Sequence, residues 1–165
     1  MVASRGATAT AGEIIGLAGT GRNTFYEHFD GVDAAVSEVI RTAVRDLGNA
    51  LHESTAETRA PRERIRSLAT AWLAGTAKNP LATAVLLETV SEGRTLLLAE
   101  LEKELRGALE LGRTAGALSV ATEPLRVACA LGTFVAAATH VARTADVDLR
   151  AAADTLTDVT LRSFR

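Results

Sequence analysis

The stretch whose reading decides the fold is Thr10–Phe29, TAGEIIGLAGTGRNTFYEHF. Thr10, followed three residues later by Glu13, makes a capping-box pair in which each side chain can satisfy an orphan backbone N–H of the other. With Ile14, Leu17 and Ala18 on one buried face, the spacing predicts a short helix. Gly19, Thr20 and Gly21 then supply a turn in which positive φ is cheap. A second helix starts at Arg22, where Phe25 and Phe29 recur at i, i+4 as anchors. Its other faces carry Arg22, Asn23, Thr24, Tyr26, Glu27 and His28. Two short helices, a tight glycine turn and polar residues massed on the second helix are the layout of a helix-turn-helix, a DNA-reading motif.

Outward from that stretch, the chain is 165 residues long, enough for one good core and a small second lobe. It is 47% apolar but only 4% aromatic, and Ala, Leu and Thr dominate, which points to an Ala/Leu helical protein. The single cysteine, Cys129, cannot form an internal disulfide, so a reducing cytoplasm is the simple reading. No stretch is read as long enough and free enough of charge to span a bilayer, and Met1–Arg5 lacks the apolar run of a signal peptide, so no membrane partner is expected. Net charge is −2. Up to Arg45 the basic residues Arg5, Arg22, Arg41 and Arg45 face Glu13, Glu27, Asp30, Asp33 and Glu38, so the N-terminal part is not a basic patch.

After Phe29, Asp30 can cap a long helix that has Asp33 at its third position and Val36, Val39, Ile40, Ala43, Val44, Leu47 and Leu51 at helical spacing. A polar break, 52–60, ends at Pro61, well placed to open the next helix, in which Ile65, Leu68, Ala69, Trp72 and Leu73 form one stripe. Asn79–Pro80 starts another, running through Val85, Leu86 and Leu87 until Gly93 stops it. From Arg94 to about Ala115, Leu97, Leu98, Leu101, Leu105, Ala108 and Leu109 hold one face; Glu100, Lys103, Glu104 and Arg106 hold the other, a solvated one. A loop, 116–121, precedes a helix opened by Thr122 and Pro124, and Asp146 or Asp148 starts the last. The helix from Thr122 to about Thr144 is apolar nearly all round, with small Ala128, Gly132 and Ala136–Ala138, so it must be buried. A second copy of the chain is its expected cover; the alternative is wrapping by its own neighbours.

The run Ala18–Phe29 resembles the signature of TetR-type bacterial transcriptional regulators, in which an Ala-Gly turn leads into a helix carrying Thr, an aromatic pair and His-Phe. The resemblance implies an all-α homodimer: a helix-turn-helix head, here 1–45, and a helical-bundle body, here 46–165, that dimerises and binds a small molecule. It assigns DNA-backbone contact to Thr24, Tyr26 and His28. From their chemistry Asn23 can pair with adenine and Arg22 with guanine or phosphate, and Thr10 completes the candidate DNA-binding set. Three departures accompany the likeness. Thr20-Gly21 stands where the family has Val-Ser, Val32 where it has a phosphate-touching Lys, and only Met1–Arg5 precede Gly6, so the family's first helix is expected to be largely missing. Any DNA binding is therefore expected to be weaker and less salt-dependent than that of a basic-armed reader.

In the body, Trp72, Thr83, Leu87, Cys129, Phe134 and His140 are the candidate ligand-binding residues, an apolar set with a few polar handles. Enzymatic readings find little support: His28, His52 and His140 lie far apart, Cys129 has no close His or acid, and neither metal spacing nor a phosphate-cradling loop occurs. No enzyme activity, cofactor or metal is expected. The reading is a TetR-like homodimeric regulator, a repressor released from operator DNA by a small-molecule effector. The alternative is a dimeric ligand-binding or protein-interaction module of the same fold with DNA binding lost.

Overall fold

The computed structural model describes residues 21–78, 92–118 and 123–164, with 12, 15, 16, 80, 83, 86 and 87 as further helical positions. Among the described residues the elements are all helices: α1 Arg22–His28, α2 Val32–Ala56, α3 Pro61–Lys78, α4 Glu92–Thr114, α5 Pro124–Arg143 and α6 Leu149–Arg162. The helix expected from Thr10, with Glu13, Ile14, Leu17 and Ala18, and the turn at Gly19 and Thr20 lie outside the described residues.

Local chemistry explains most boundaries. Pro61 and Pro124 each take the first helical position, where a missing N–H costs nothing. Asp148, not Asp146, opens α6: its carboxylate accepts from the amides of Arg150 (3.0 Å) and Ala151 (3.1 Å). Asp146 instead turns the chain in the left-handed region, with φ 58°, a conformation Asp tolerates better than most residues. Gly116, also left-handed (φ 68°), closes the end of α4, and the amides of Ala117 (2.9 Å) and Leu118 (3.2 Å) return to the Gly112 carbonyl.

Three boundaries differ from expectation. Gly31 rather than Asp30 occupies the N-cap of α2, with no side-chain cap bond. That helix also runs through 52–56, read as a polar break, because His52 and Thr55 are tethered to α4. Gly93 does not stop a helix. It is buried in the first turn of α4, where an added Cβ would lie 2.2 Å from Ile40 Cγ2; the glycine is there to let α4 approach α2.

α3 is the central element and packs against α2, α4, α5 and α6. Its stripe Ile65, Leu68, Ala69, Trp72 and Leu73 is fully buried, facing Leu97, Leu101, Leu105 and Leu109 of α4 and Val127 and Phe134 of α5. The Trp72 indole N–H donates to the Phe134 carbonyl at 2.9 Å, pinning α3 to α5. In a core with few aromatics, threonines fill space without orphaned hydroxyls. Thr76, Thr157 and Thr160 each donate to the carbonyl one turn back. Ion pairs Arg62–Asp158 (2.7 Å) and Arg66–Asp154 (2.6 Å) join α3 to α6 at the surface, where each contributes about 0–1 kcal/mol.

One expectation about α5, that no stretch is apolar enough to span a bilayer, is corrected. Between Arg126 and Arg143 it carries no Asp, Glu, Lys or Arg, and with a mean hydropathy of 1.5 it is long and apolar enough to cross a membrane. Yet Val127, Ala130, Phe134, Ala138 and Val141 are core residues, as in the central helix of many globular proteins. Of the two covers expected for it, wrapping by its own neighbours does not hold: Leu125 is 74% exposed, and Ala128, Cys129, Gly132 and Ala136 are exposed with it. The chain's own neighbours cover one face only.

Candidate functional site

α1 is short, and its sequence divides it into two faces. Phe25 is 4% exposed; its ring meets Phe29 at 5.5 Å and the edge of Tyr26 at 5.3 Å. This aromatic set seats the helix, while Tyr26 remains 50% exposed and Arg22, Asn23, Thr24, Glu27 and His28 are all open. The N-cap is Gly21, in extended backbone with no side-chain cap bond, which relative to Ser forfeits only a few tenths of a kcal/mol. The structure thus gathers Arg22, Asn23, Thr24, Tyr26 and His28 on one accessible element; Thr10 lies outside the described residues. Among the described residues from 21 to 33, Arg22 is the one permanent cation, against Glu27, Asp30 and Asp33.

α2 leaves this head and runs unbroken through residue 45, so the expected limit between 1–45 and 46–165 falls within one helix.

Among the described residues the candidate ligand residues stand at different depths. Trp72 and Phe134 meet in the core through the indole bond, and both are fully buried with Leu87 close to it. Thr83 is partly exposed and Cys129 is exposed. His140 is exposed too, its Nδ1 3.5 Å from the Thr144 hydroxyl, and it lines a groove of about 570 Å³ between α5 and α6 with Val147, Leu156 and Val159.

Sequence reasoning missed the polar centre of the body. Glu104, read as solvated, is 5% exposed. Its Oε2 accepts from the Thr55 hydroxyl at 2.8 Å, its Oε1 lies 3.0 Å from His52 Nδ1, and Arg64 Nη2 stands 4.0 Å away. Burial by itself pushes the Glu104 carboxyl up, but the bonds from His52 and Thr55, with the charges of His52 and Lys103, outweigh it and hold the group below its ordinary value. The cluster clamps the end of α2 to α3 and α4. No sequence signal marks it, since the partners stand 49 and 52 positions from Glu104. Among the described residues no group of His, Cys, Asp and Glu could hold a metal ion.

No protein-family model and no curated protein matches the sequence. Solved structures do match in shape. A regulatory protein of the tetR family from Rhodococcus RHA1 superposes with a TM-score of 0.77 at 19% identity, over 99% of this chain and 90% of that one. The fatty acid degradation regulator FadR from Bacillus halodurans gives 0.80 at 19% identity, over 97% and 88%. The TetR-family regulator PfmR from Thermus thermophilus gives 0.73 at 18%, over 93% and 88%. At these identities likeness speaks for architecture, and with helices that follow those regulators along nearly their whole length, the chain has the all-α fold of the TetR-family transcriptional regulators.

Proposed function

We propose that this chain is a TetR-like DNA-binding transcriptional regulator that acts in the cytoplasm as a homodimeric repressor and is released from its operator by a small-molecule effector. The observation that carries this reading is α1 itself, a short helix seated by buried Phe25 and presenting Arg22, Asn23, Thr24, Tyr26 and His28 outward on a regulator fold. In that role residues 1–45 are the head and 46–165 the body. Thr24, Tyr26 and His28 hold phosphates, Arg22 and Asn23 reach base edges, and Thr10 belongs to the same set. The dimer forms through the open face of α5 together with α6, where Leu125 and Val159 are uncovered apolar side chains. Two heads must then stand about 34 Å apart to enter successive major grooves, and an effector that favours another spacing shifts the population off DNA.

The effector pocket draws on Trp72, Thr83, Leu87, Cys129, Phe134 and His140. Buried Trp72 and Phe134, joined by the indole bond, form its inner wall. No catalytic step is part of the reading.

The test is selection of binding sequences from a randomised duplex pool with the full chain, followed by titration of the best site at several salt concentrations. The expected result is a palindromic site bound with a shallow salt dependence, and Tyr26→Phe weakening it by about 0.5–1.5 kcal/mol, the worth of one hydroxyl bond. A pool without enrichment sinks the regulator reading. It would favour the second one, a dimeric ligand-binding or interaction module, to which the excess of acidic over basic residues in the sequence of 1–45 lends weight.

A further inference from the structure

Glu27 is the one residue of α1 besides Phe25 that the proposed DNA-binding set leaves out. At about 100° per residue, Asn23 and Glu27 each stand about 160° from buried Phe25, one on either side of the direction opposite the seated face. As an i, i+4 pair they are neighbours on the helix surface. Arg22 and Tyr26 lie to one side of that line and Thr24 and His28 to the other, and all of these side chains are exposed. When such a helix enters a major groove with its flanks toward the two phosphate walls, Asn23 and Glu27 are its deepest side chains, the ones that meet base edges. Among the described residues neither is engaged in a hydrogen bond or an ion pair, so both can turn outward.

A carboxylate on that line is a demanding reader, because when ionised it only accepts hydrogen bonds. In the major groove guanine presents N7 and O6 and thymine O4, acceptors that repel it. Adenine sets an acceptor, N7, beside its N6 donor, whereas cytosine presents the N4 donor and no acceptor. Cytosine is therefore the base the carboxylate fits, and any other base at that place leaves its charge desolvated and unpaired close to phosphates. Asn23 carries a donor and an acceptor in one amide and matches adenine N6 and N7. Four residues of helix rise about 6 Å, and bases follow one another at about 3.4 Å along a strand, so the two bases stand within about two steps of each other.

We infer that Glu27 sets the sequence specificity of α1: its carboxylate accepts from the N4 amino group of a cytosine that lies within about two base steps of an adenine read by Asn23. The inference rests on the regulator reading. Its test is selection from a randomised duplex pool with the full chain, run in parallel for wild type, Glu27→Gln, Glu27→Ala and Asp30→Asn. Wild type is expected to enrich a half-site with a fixed cytosine, and changing that cytosine should weaken binding about tenfold or more. Glu27→Gln, whose amide matches adenine, should exchange the cytosine for adenine at that one position, and Glu27→Ala should accept any base there. Both variants remove a negative charge, so both should bind random DNA more tightly than wild type. Asp30→Asn removes the same charge from an exposed position between α1 and α2; it should also raise random-DNA binding, yet keep the cytosine. An enriched wild-type pool with no fixed cytosine, or the same base pattern in Glu27→Gln as in wild type, overturns the inference and leaves the regulator reading standing. A wild-type pool without enrichment overturns both.

Discussion

Replacing Glu104 by Gln tests whether the buried carboxylate, and not merely its volume, clamps α2 to the body. Gln keeps the size and can still accept from the Thr55 hydroxyl, which donates to Glu104 at 2.8 Å. It loses the negative charge that faces His52 at 3.0 Å and Arg64 at 4.0 Å. These partners are not equal. The His52 side chain is 66% exposed, so its pairing is screened and adds well under about 1 kcal/mol. Arg64 is mostly covered, and its buried Nε has no hydrogen-bond partner, so loss of the nearby carboxylate leaves a cation less compensated. Adding the charge-assisted part of the Thr55 bond, Glu104→Gln should cost about 2 kcal/mol at pH 7. The pH dependence carries its own sign. The folded carboxyl lies below its ordinary value of 4.5, so ionised Glu104 adds stability above that value, and the contribution disappears as pH falls through the lower folded value. Below it the wild type is protonated and resembles the variant, so the two should converge. Urea melts of both proteins at steps from neutral pH to below 4.5 measure this difference directly, because every other titrating group is common to the pair. A constant gap at all pH values, or a variant more stable than wild type at pH 7, would refute the reasoning.

Two further outcomes follow from geometry. Gly93→Ala places a methyl group 2.2 Å from Ile40 Cγ2, which cannot swing away like the tip of a long chain, so α4 must shift from α2 at a cost of about 1–3 kcal/mol; thermal unfolding within error of wild type would show the approach is looser. Ala136→Glu adds a charge in the middle of the open α5 face, exposed in the single chain, so the variant should stay folded by circular dichroism yet run as a monomer in light scattering. A wild-type monomer, or a dimer untouched by the substitution, would remove α5 from the interface.

The sequence by itself determined the elements whose causes are adjacent in the chain. Pro61 and Pro124 open helices because proline is tolerated where no backbone donor is needed, and the Ile65–Leu73 stripe is buried because its spacing gathers five side chains on one face. α1 was equally legible, with Phe25 inward and Tyr26 outward as the i, i+4 aromatic spacing requires. What only the tertiary structure decided concerns partners distant along the chain. A glutamate among charged neighbours reads as solvated, and Glu104 is buried only because α2 brings Thr55 and His52 to it. Gly93 reads as a helix stop until Ile40 is found where its side chain would be. The composition of α5 demands burial without saying by what, and only the packing of α3 and α6 shows one face covered and the other open. Likewise Trp72 and Phe134, both candidate ligand residues, are joined by a bond from the indole N–H to a carbonyl 62 positions along the chain, which no local spacing announces. Caps and periodicities are short-range and survive in one dimension, whereas burial of a charge, close helix approach and the existence of a cavity are set by surfaces that meet only when the chain folds.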